Sequence, residues 1–198
     1  VAKYVQLLVD AGATTRVKML NYIIKADSVF LGEGKAILIE EFGKDYGVYF
    51  SILSAIARGK TSRSKIEKIV GREIGGYLTK LEKEYEIITK NQPIFEKSST
   101  KNVHYTIEDN FFCFWFSFIY KYNYMLEIEN YDAVKTIINR DYETFSGKML
   151  ERYFKRVLME SKAFTRIGSW WDRKGENEID IVAENELNNE AVFIEVKR

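Results

Sequence analysis

Apolar residues recur at helical spacing through most of the chain and at every second position near its end. The helical spacing predicts three short helices over residues 4–9, 15–26 and 33–42, the last of them ended by Gly43. Each is too short to bury a core of its own, so we expect a small helical module over residues 1–43.

A second group of elements has the order of a winged helix-turn-helix. Three helices are predicted, two of them ended by glycine, and two strands follow, separated by a segment that holds the only proline. The predicted helices cover 49–59, 61–71 and 72–84, and the strands cover 85–90 and 103–108.

Basic residues concentrate in this group. Between Arg58 and Val103 there are eleven lysines and arginines against six glutamates, whereas the whole chain has a net charge of +1. The residues predicted to contact DNA are Arg63, Lys65, Arg72, Lys80 and Lys83. Glu73, Glu82 and Glu84 lie on the same predicted helix and repel phosphates. A protein-interaction or interdomain joint is therefore the alternative function of this module.

The segment over 109–125 carries aromatic residues at nearly every helical angle, which predicts a helix buried on all sides. A stack for single-stranded bases is the alternative, although such platforms normally lie on open sheets. Cys113, the only cysteine, is expected to be a buried thiol. Two helices are predicted next, over 132–140 and 141–161, the second with a core stripe of Leu150, Phe154, Val157 and Leu158.

The chain ends in a predicted strand over 163–171 and a hairpin over 177–198 with strict two-residue alternation. Pairing symmetric about the polar stretch 184–190 sets Asp180 opposite Glu195 and Glu178 opposite Lys197. Two facing carboxylates destabilise a sheet unless a cation compensates them.

Mg²⁺ suits this pair because it takes one or two carboxylates and keeps several waters. Asp180 and Glu195 are therefore the predicted metal ligands, and Lys197 is placed to orient water or stabilise charge on a phosphate. Glu151 on the preceding helix is the third acid of this candidate catalytic group. The alternative is a solvated face in which Glu178 pairs with Lys197.

Composition limits the class of protein and its expected location. The chain is 46% hydrophobic and 30% charged, which is typical of a globular protein, and one cysteine excludes an intrachain disulfide. No apolar stretch is long enough to span a membrane and no secretory signal is evident, so a cytoplasmic location is expected.

Gly59, Lys60 and Thr61 match the end of a phosphate-binding loop. Ser54 replaces the first glycine of that loop and a helix precedes it, so no nucleotide site is predicted here.

The order of Glu151, Asp180 and Glu195-Val196-Lys197 resembles the PD-(D/E)XK nuclease signature, in the variant without proline before the aspartate. Together with residues 38–62, it makes the chain similar to the C-terminal half of archaeal-type AAA/STAND ATPases. In those proteins an ATPase domain and its helical lid precede a winged helix and a DUF234 domain of nuclease-like fold. The start without Met and the stop after Lys197, inside an expected sheet, suggest a fragment.

The resemblance implies an α+β fold with a lid remnant, a winged helix-turn-helix and an incomplete α/β nuclease-like domain. It makes Asp180 and Glu195 ligands of Mg²⁺, Lys197 the catalytic lysine and Glu151 the accessory acid, and it confines ATP to an N-terminal domain. DNA is the expected partner, with the ATPase domain or a second copy of the chain as further ones. The predicted division is 1–43 lid, 44–108 winged helix, 109–140 aromatic connector and 141–198 nuclease-like domain.

Overall fold

The computed structural model describes residues 2–97 and 100–197, which form two compact units. The first unit comprises Val1–Thr89 and Tyr105–Arg140, and the second comprises Lys90–His104 and Asp141–Arg198. The chain has a mixed α+β fold, as predicted. The four-part domain division remains a prediction.

Most of the chain is helical. The helices are α1 Ala2–Asp10, α2 Arg16–Ile23, α3 Val29–Phe42, α4 Tyr46–Ala57, α5 Arg63–Val70, α6 Gly75–Lys83, α7 Asn110–Phe114, α8 Asn123–Glu127 and α9 Tyr131–Ser161. A 3₁₀ turn covers Gly43–Asp45, and a π-helical segment, Trp115–Tyr120, continues α7. The strands are β1 Ile88–Asn91, β2 His104–Ile107, β3 Arg166–Trp171, β4 Glu178–Asn185 and β5 Glu190–Ile194. They form one sheet of β1 and β2 and a second of order β3-β4-β5.

Local signals set several helix ends. Thr15 caps α2 because its hydroxyl accepts the N–H of Lys18. Gly43 ends α3 at a φ of +56°, and Gly71 ends α5 in the left-handed conformation at +75°. Side chains rarely adopt such φ values, which is why glycine stands at these ends.

The core of the first unit is aromatic. Phe50 of α4 makes edge contacts with Trp115, Phe116 and Tyr120, with ring centroids 5.3–5.9 Å apart. Cys113 is buried and donates to the carbonyl of Ile107, as expected for a packed thiol. The aromatic segment is a helix from Asn110 to Tyr120, its second half in the wider π-helical form, and Trp115, Phe116 and Phe118 are buried as predicted. The prediction of one helix buried on all sides up to residue 125 is wrong, since the helix is interrupted at residues 121–122 and Tyr124 is 59% exposed.

Helices α4, α5 and α6 precede the β1–β2 ribbon, which is the predicted order of elements. The Tyr105 N–H donates to the Thr61 carbonyl at 2.8 Å and ties β2 to the turn before α5. Gly59, with a φ of +80°, lies between α4 and α5, where no strand feeds the loop. The Gly59-Lys60-Thr61 stretch is therefore a connection between two helices.

The predicted break near residue 140 is wrong, because one helix of 31 residues runs from Tyr131 to Ser161. Neither proline nor glycine occurs where the break was expected, so nothing interrupts the hydrogen-bond ladder. The predicted core stripe is also wrong in part, since Phe154 and Val157 are each 42% exposed.

The β4–β5 hairpin has the predicted register. Ile181 pairs with Ile194, Ala183 with Val192, and the pairs continue to the polar turn. Strand pairing ends at Ile194, one residue before the expected Asp180–Glu195 pair.

The segment between β1 and β2 packs on β3 and belongs to the second unit. The Ile94 N–H donates to the Ser169 carbonyl at 2.8 Å, and the Trp171 indole N–H donates to Asn102 Oδ1 at 3.0 Å. His104 stacks on Trp171 with ring centroids 4.6 Å apart. In the predicted winged helix-turn-helix this segment would be the wing, and its backbone and rings are engaged by the sheet.

Candidate functional site

The turn between α5 and α6 is held by charged side chains. Arg63 donates from Nε to Glu67 at 2.7 Å and from a terminal nitrogen to Glu73 at 3.0 Å. The same oxygen of Glu67 accepts the Ile74 N–H at the start of α6. These bonds raise the pKa of Arg63, and the Arg63 bond lowers the pKa of Glu67. Arg63 thus neutralises two acids next to the helix that was predicted to meet DNA.

The other predicted DNA contacts stay at the surface. Lys65, Lys80 and Lys83 are exposed, and no acidic partner binds them among the residues that the structure describes. Arg72 is also exposed, and its guanidinium lies 5.4 Å from the centre of the Tyr77 ring. Exposed cations without partners are free to neutralise phosphates.

A β-bulge in β4 determines which residues share a face of the second sheet. Gly168 pairs with Val182 but Trp170 pairs with Ile179, so β4 has two residues, Asp180 and Ile181, where β3 has one. Ile179 and Val182 therefore lie on the same face, and with Phe95, Trp170 and Phe193 they line one apolar cavity of about 200 Å³. The prediction of strict alternation through β4 is wrong at this point.

Glu178 consequently lies on the face opposite to this cavity, since its partner Trp171 follows Trp170. Glu151 of α9 is half-buried, and burial is the first cause that raises the pKa of its carboxyl. Asp180 and then Glu178 raise that pKa further, while Lys148 and Arg152 lower it. Two acids of β4 thus act on the half-buried carboxyl of Glu151.

Glu151→Gln is expected to stabilise the protein increasingly as pH rises. Below the ordinary glutamate pKa, about 4.3, Glu151 is protonated in both states and the substitution has little effect. As pH rises through the raised pKa of Glu151, the folded chain has to ionise a half-buried carboxyl near like charges and loses stability relative to the variant.

Urea unfolding between about pH 4 and about pH 8 measures this difference. Glu143→Gln, an exposed position on the same helix, is the control. Equal pH dependence of the two variants would contradict the environment described for Glu151.

Asp180 also accepts a hydrogen bond from the backbone. Its Oδ2 accepts the N–H of Val196 at 2.8 Å, which holds the chain after β5 against β4. Glu195 and Lys197 flank Val196 and are both exposed. Over residues 2–97 and 100–197, no three histidine, cysteine, aspartate or glutamate side chains are arranged to hold a metal ion. The structure thus groups Glu151 with Asp180 and Glu178, and the roles predicted for Glu195 and Lys197 remain predictions.

The donor set suits a hard cation. Asp180 and Glu151 offer carboxylate oxygens, and Mg²⁺ usually takes one or two carboxylates and completes its shell with water. Glu178 is the acid to which sequence reasoning assigned no role, because strict alternation paired it with Lys197. The bulge follows from cross-strand pairing with β3, which the alternation within β4 does not reveal.

Comparison with known proteins finds similarity to proteins of unknown function. Residues 115–198 match the DUF234 family model, described as archaea bacterial proteins of unknown function. The chain is similar to an uncharacterized protein of Methanocaldococcus jannaschii, with 33% identity over 185 residues. That alignment covers 88% of this chain and 41% of the relative, so the chain spans less than half the length of the protein it matches. No solved structure matches the chain. None of the described helices is long and apolar enough to cross a membrane.

Proposed function

We propose that the chain binds duplex DNA through α5 and α6 of the first unit. The observation that carries the proposal is the set of exposed lysines on these helices, which face solvent without an acidic partner in the described part of the chain. Arg63 supports it indirectly by neutralising Glu67 and Glu73. Because the wing segment is engaged by β3, the helices rather than the wing would carry the phosphate contacts.

Lys80→Ala combined with Lys83→Ala is expected to weaken binding of a duplex oligonucleotide at every sequence alike. Each lost phosphate contact lowers the slope of log affinity against log salt by about 0.9, so the double variant should lose about 2 units of slope. Fluorescence anisotropy of a labelled duplex over a salt series measures both affinity and slope.

The matched control removes two other exposed lysines, Lys35 and Lys44. A wild-type affinity that does not respond to salt would contradict DNA binding and favour a joint between proteins or domains, since apolar contacts do not release counterions.

A second candidate function is Mg²⁺-dependent phosphodiester hydrolysis at the acidic face of the second unit. The raised pKa of Glu151 beside Asp180 and Glu178 favours it, because acids gathered in this way are relieved by a bound cation. When bound, the ion would polarise a phosphoryl oxygen and activate water. Glu151 and Asp180 would hold it, and Lys197 would stabilise charge on the phosphate. By the resemblance to archaeal ATPases, ATP would act on a domain outside these 198 residues.

A further inference from the structure

A groove in the first unit is formed by residues 11–25, which precede α5 and α6 in the sequence. It is an open cavity of about 350 Å³ lined by the turn Ala11–Ala13 and by side chains of α2 and the residues after it. This volume is within the range of small-ligand sites, about 300–1,000 Å³. Lys18, Asn21 and Tyr22 line it from one face of α2, at intervals of three and four residues. Lys25 lines it from the bend that follows α2.

The groove is electropositive. Lys18 and Lys25 contribute two ammonium groups, none of its lining residues is acidic, and the first turn of α2 contains no acid. Of the acids nearest in sequence, Asp10 accepts from Gln6 at 2.6 Å. Asp27, two residues after Lys25, is exposed and forms no ion pair with either lysine among the described residues. Within the described ranges neither lysine of the groove has an ion-pair partner.

The Lys25 side chain is partly positioned without a ligand. Its ammonium lies 4.3 Å from the centre of the Tyr22 ring, a cation–π contact that holds it at the wall of the groove. The backbone of Lys18 is held by the Thr15 cap, which accepts its N–H. Asn21 and Tyr22, whose side chains carry an amide and a hydroxyl, also line the groove.

We infer that this groove binds a phosphate group. A phosphate monoester carries about −1.5 to −2 charges at neutral pH, which matches two ammonium groups, and its oxygens accept from the amide and the phenol. Lysine is a common phosphate ligand that acts as a point charge. Free phosphate esters and nucleic-acid backbones both present such phosphate groups. Phosphate binding in this groove does not depend on the lysines of α6.

Titration calorimetry with pyrophosphate at low salt tests the inference on the whole chain. Lys18→Ala combined with Lys25→Ala is expected to weaken binding at least tenfold, roughly the effect of removing two charge-assisted contacts. The variant with Lys35→Ala and Lys44→Ala removes the same charge elsewhere and should bind as wild type does. Both pairs are exposed, so the fold tolerates either change, and circular dichroism verifies this.

Repeating the titration with a short duplex separates the two sources of phosphate. Weakening of both ligands in the Lys18/Lys25 variant would show that the groove takes backbone phosphates, and weakening of pyrophosphate alone would show that it takes free esters. No measurable heat from wild type with pyrophosphate, or equal weakening in the two double variants, would overturn the inference.

Discussion

Gly34→Ala is expected to destabilise the first unit by about 1–3 kcal/mol. A Cβ at this position of α3 would lie 2.6 Å from Cδ2 and Cε2 of Trp115, well inside van der Waals contact. The indole ring is rigid, 2% exposed and anchored by its N–H to the Leu31 carbonyl at 3.2 Å, so it has no room to yield. Overpacking of this kind costs about 1–3 kcal/mol, and loss of the indole hydrogen bond adds about 1 kcal/mol, which outweighs the gain of about 1 kcal/mol in helix propensity.

Gly32→Ala is the matched control, two residues earlier on the same helix. No atom lies within 4 Å of a Cβ built there, so alanine should stabilise the chain by up to about 1 kcal/mol. Urea unfolding followed by far-UV circular dichroism compares the variants. Shifts of the same sign in both would contradict the close approach of α3 and Trp115.

Asp180→Asn is expected to abolish the Mg²⁺ binding that the second candidate function requires, while leaving the fold intact. Asparagine keeps an oxygen that accepts the Val196 N–H, so the bond between β4 and the chain after β5 is retained. The substitution removes one of the charges that raise the pKa of Glu151, which should slightly stabilise the folded chain above neutral pH. A variant that no longer binds Mg²⁺ but keeps its free energy of unfolding would show that Asp180 acts as a metal ligand and not only as a structural residue.

Calorimetric titration of Mg²⁺ into wild type and variant is the measurement, followed by a cleavage assay on duplex DNA. Glu190→Gln, on exposed β5 of the same sheet, is the control and should bind as wild type does. Cleavage lost in Asp180→Asn with unchanged DNA affinity would support hydrolysis at this face. Wild type that binds no Mg²⁺ would leave the acids as a solvated cluster and reject the second candidate function.

Features encoded by neighbouring residues were predictable from the sequence. Gly43 and Gly71 end their helices with positive φ, because a residue without Cβ is needed there whatever the tertiary contacts. The β4–β5 register was predictable for a similar reason, since a polar turn between two apolar arms defines its own centre.

Features that depend on distant residues were not predictable. Arg63 was predicted to contact DNA, but Glu73, ten residues away, engages its guanidinium together with Glu67. Asp141 suggested a helix start, yet a capping residue begins a helix only where the preceding chain leaves helical geometry, and here the ladder of α9 continues. The sequence did predict Glu151 beside Asp180, but the place of Glu178 in this group required the fold, because it depends on the bulge in β4.

The extra residue in β4 determines which side chains each face of this sheet presents. If the pairing continued from Gly168 and Val182 without the bulge, Asp180 would lie opposite Trp170, and Ile179 opposite Trp171. Asp180 and Glu178 would then share the face of the cavity that Phe95 and Trp170 line, where an unpaired charge is costly. The bulge therefore acts against a one-residue slip between β3 and β4, because the slipped pairing would place acids in an apolar cavity.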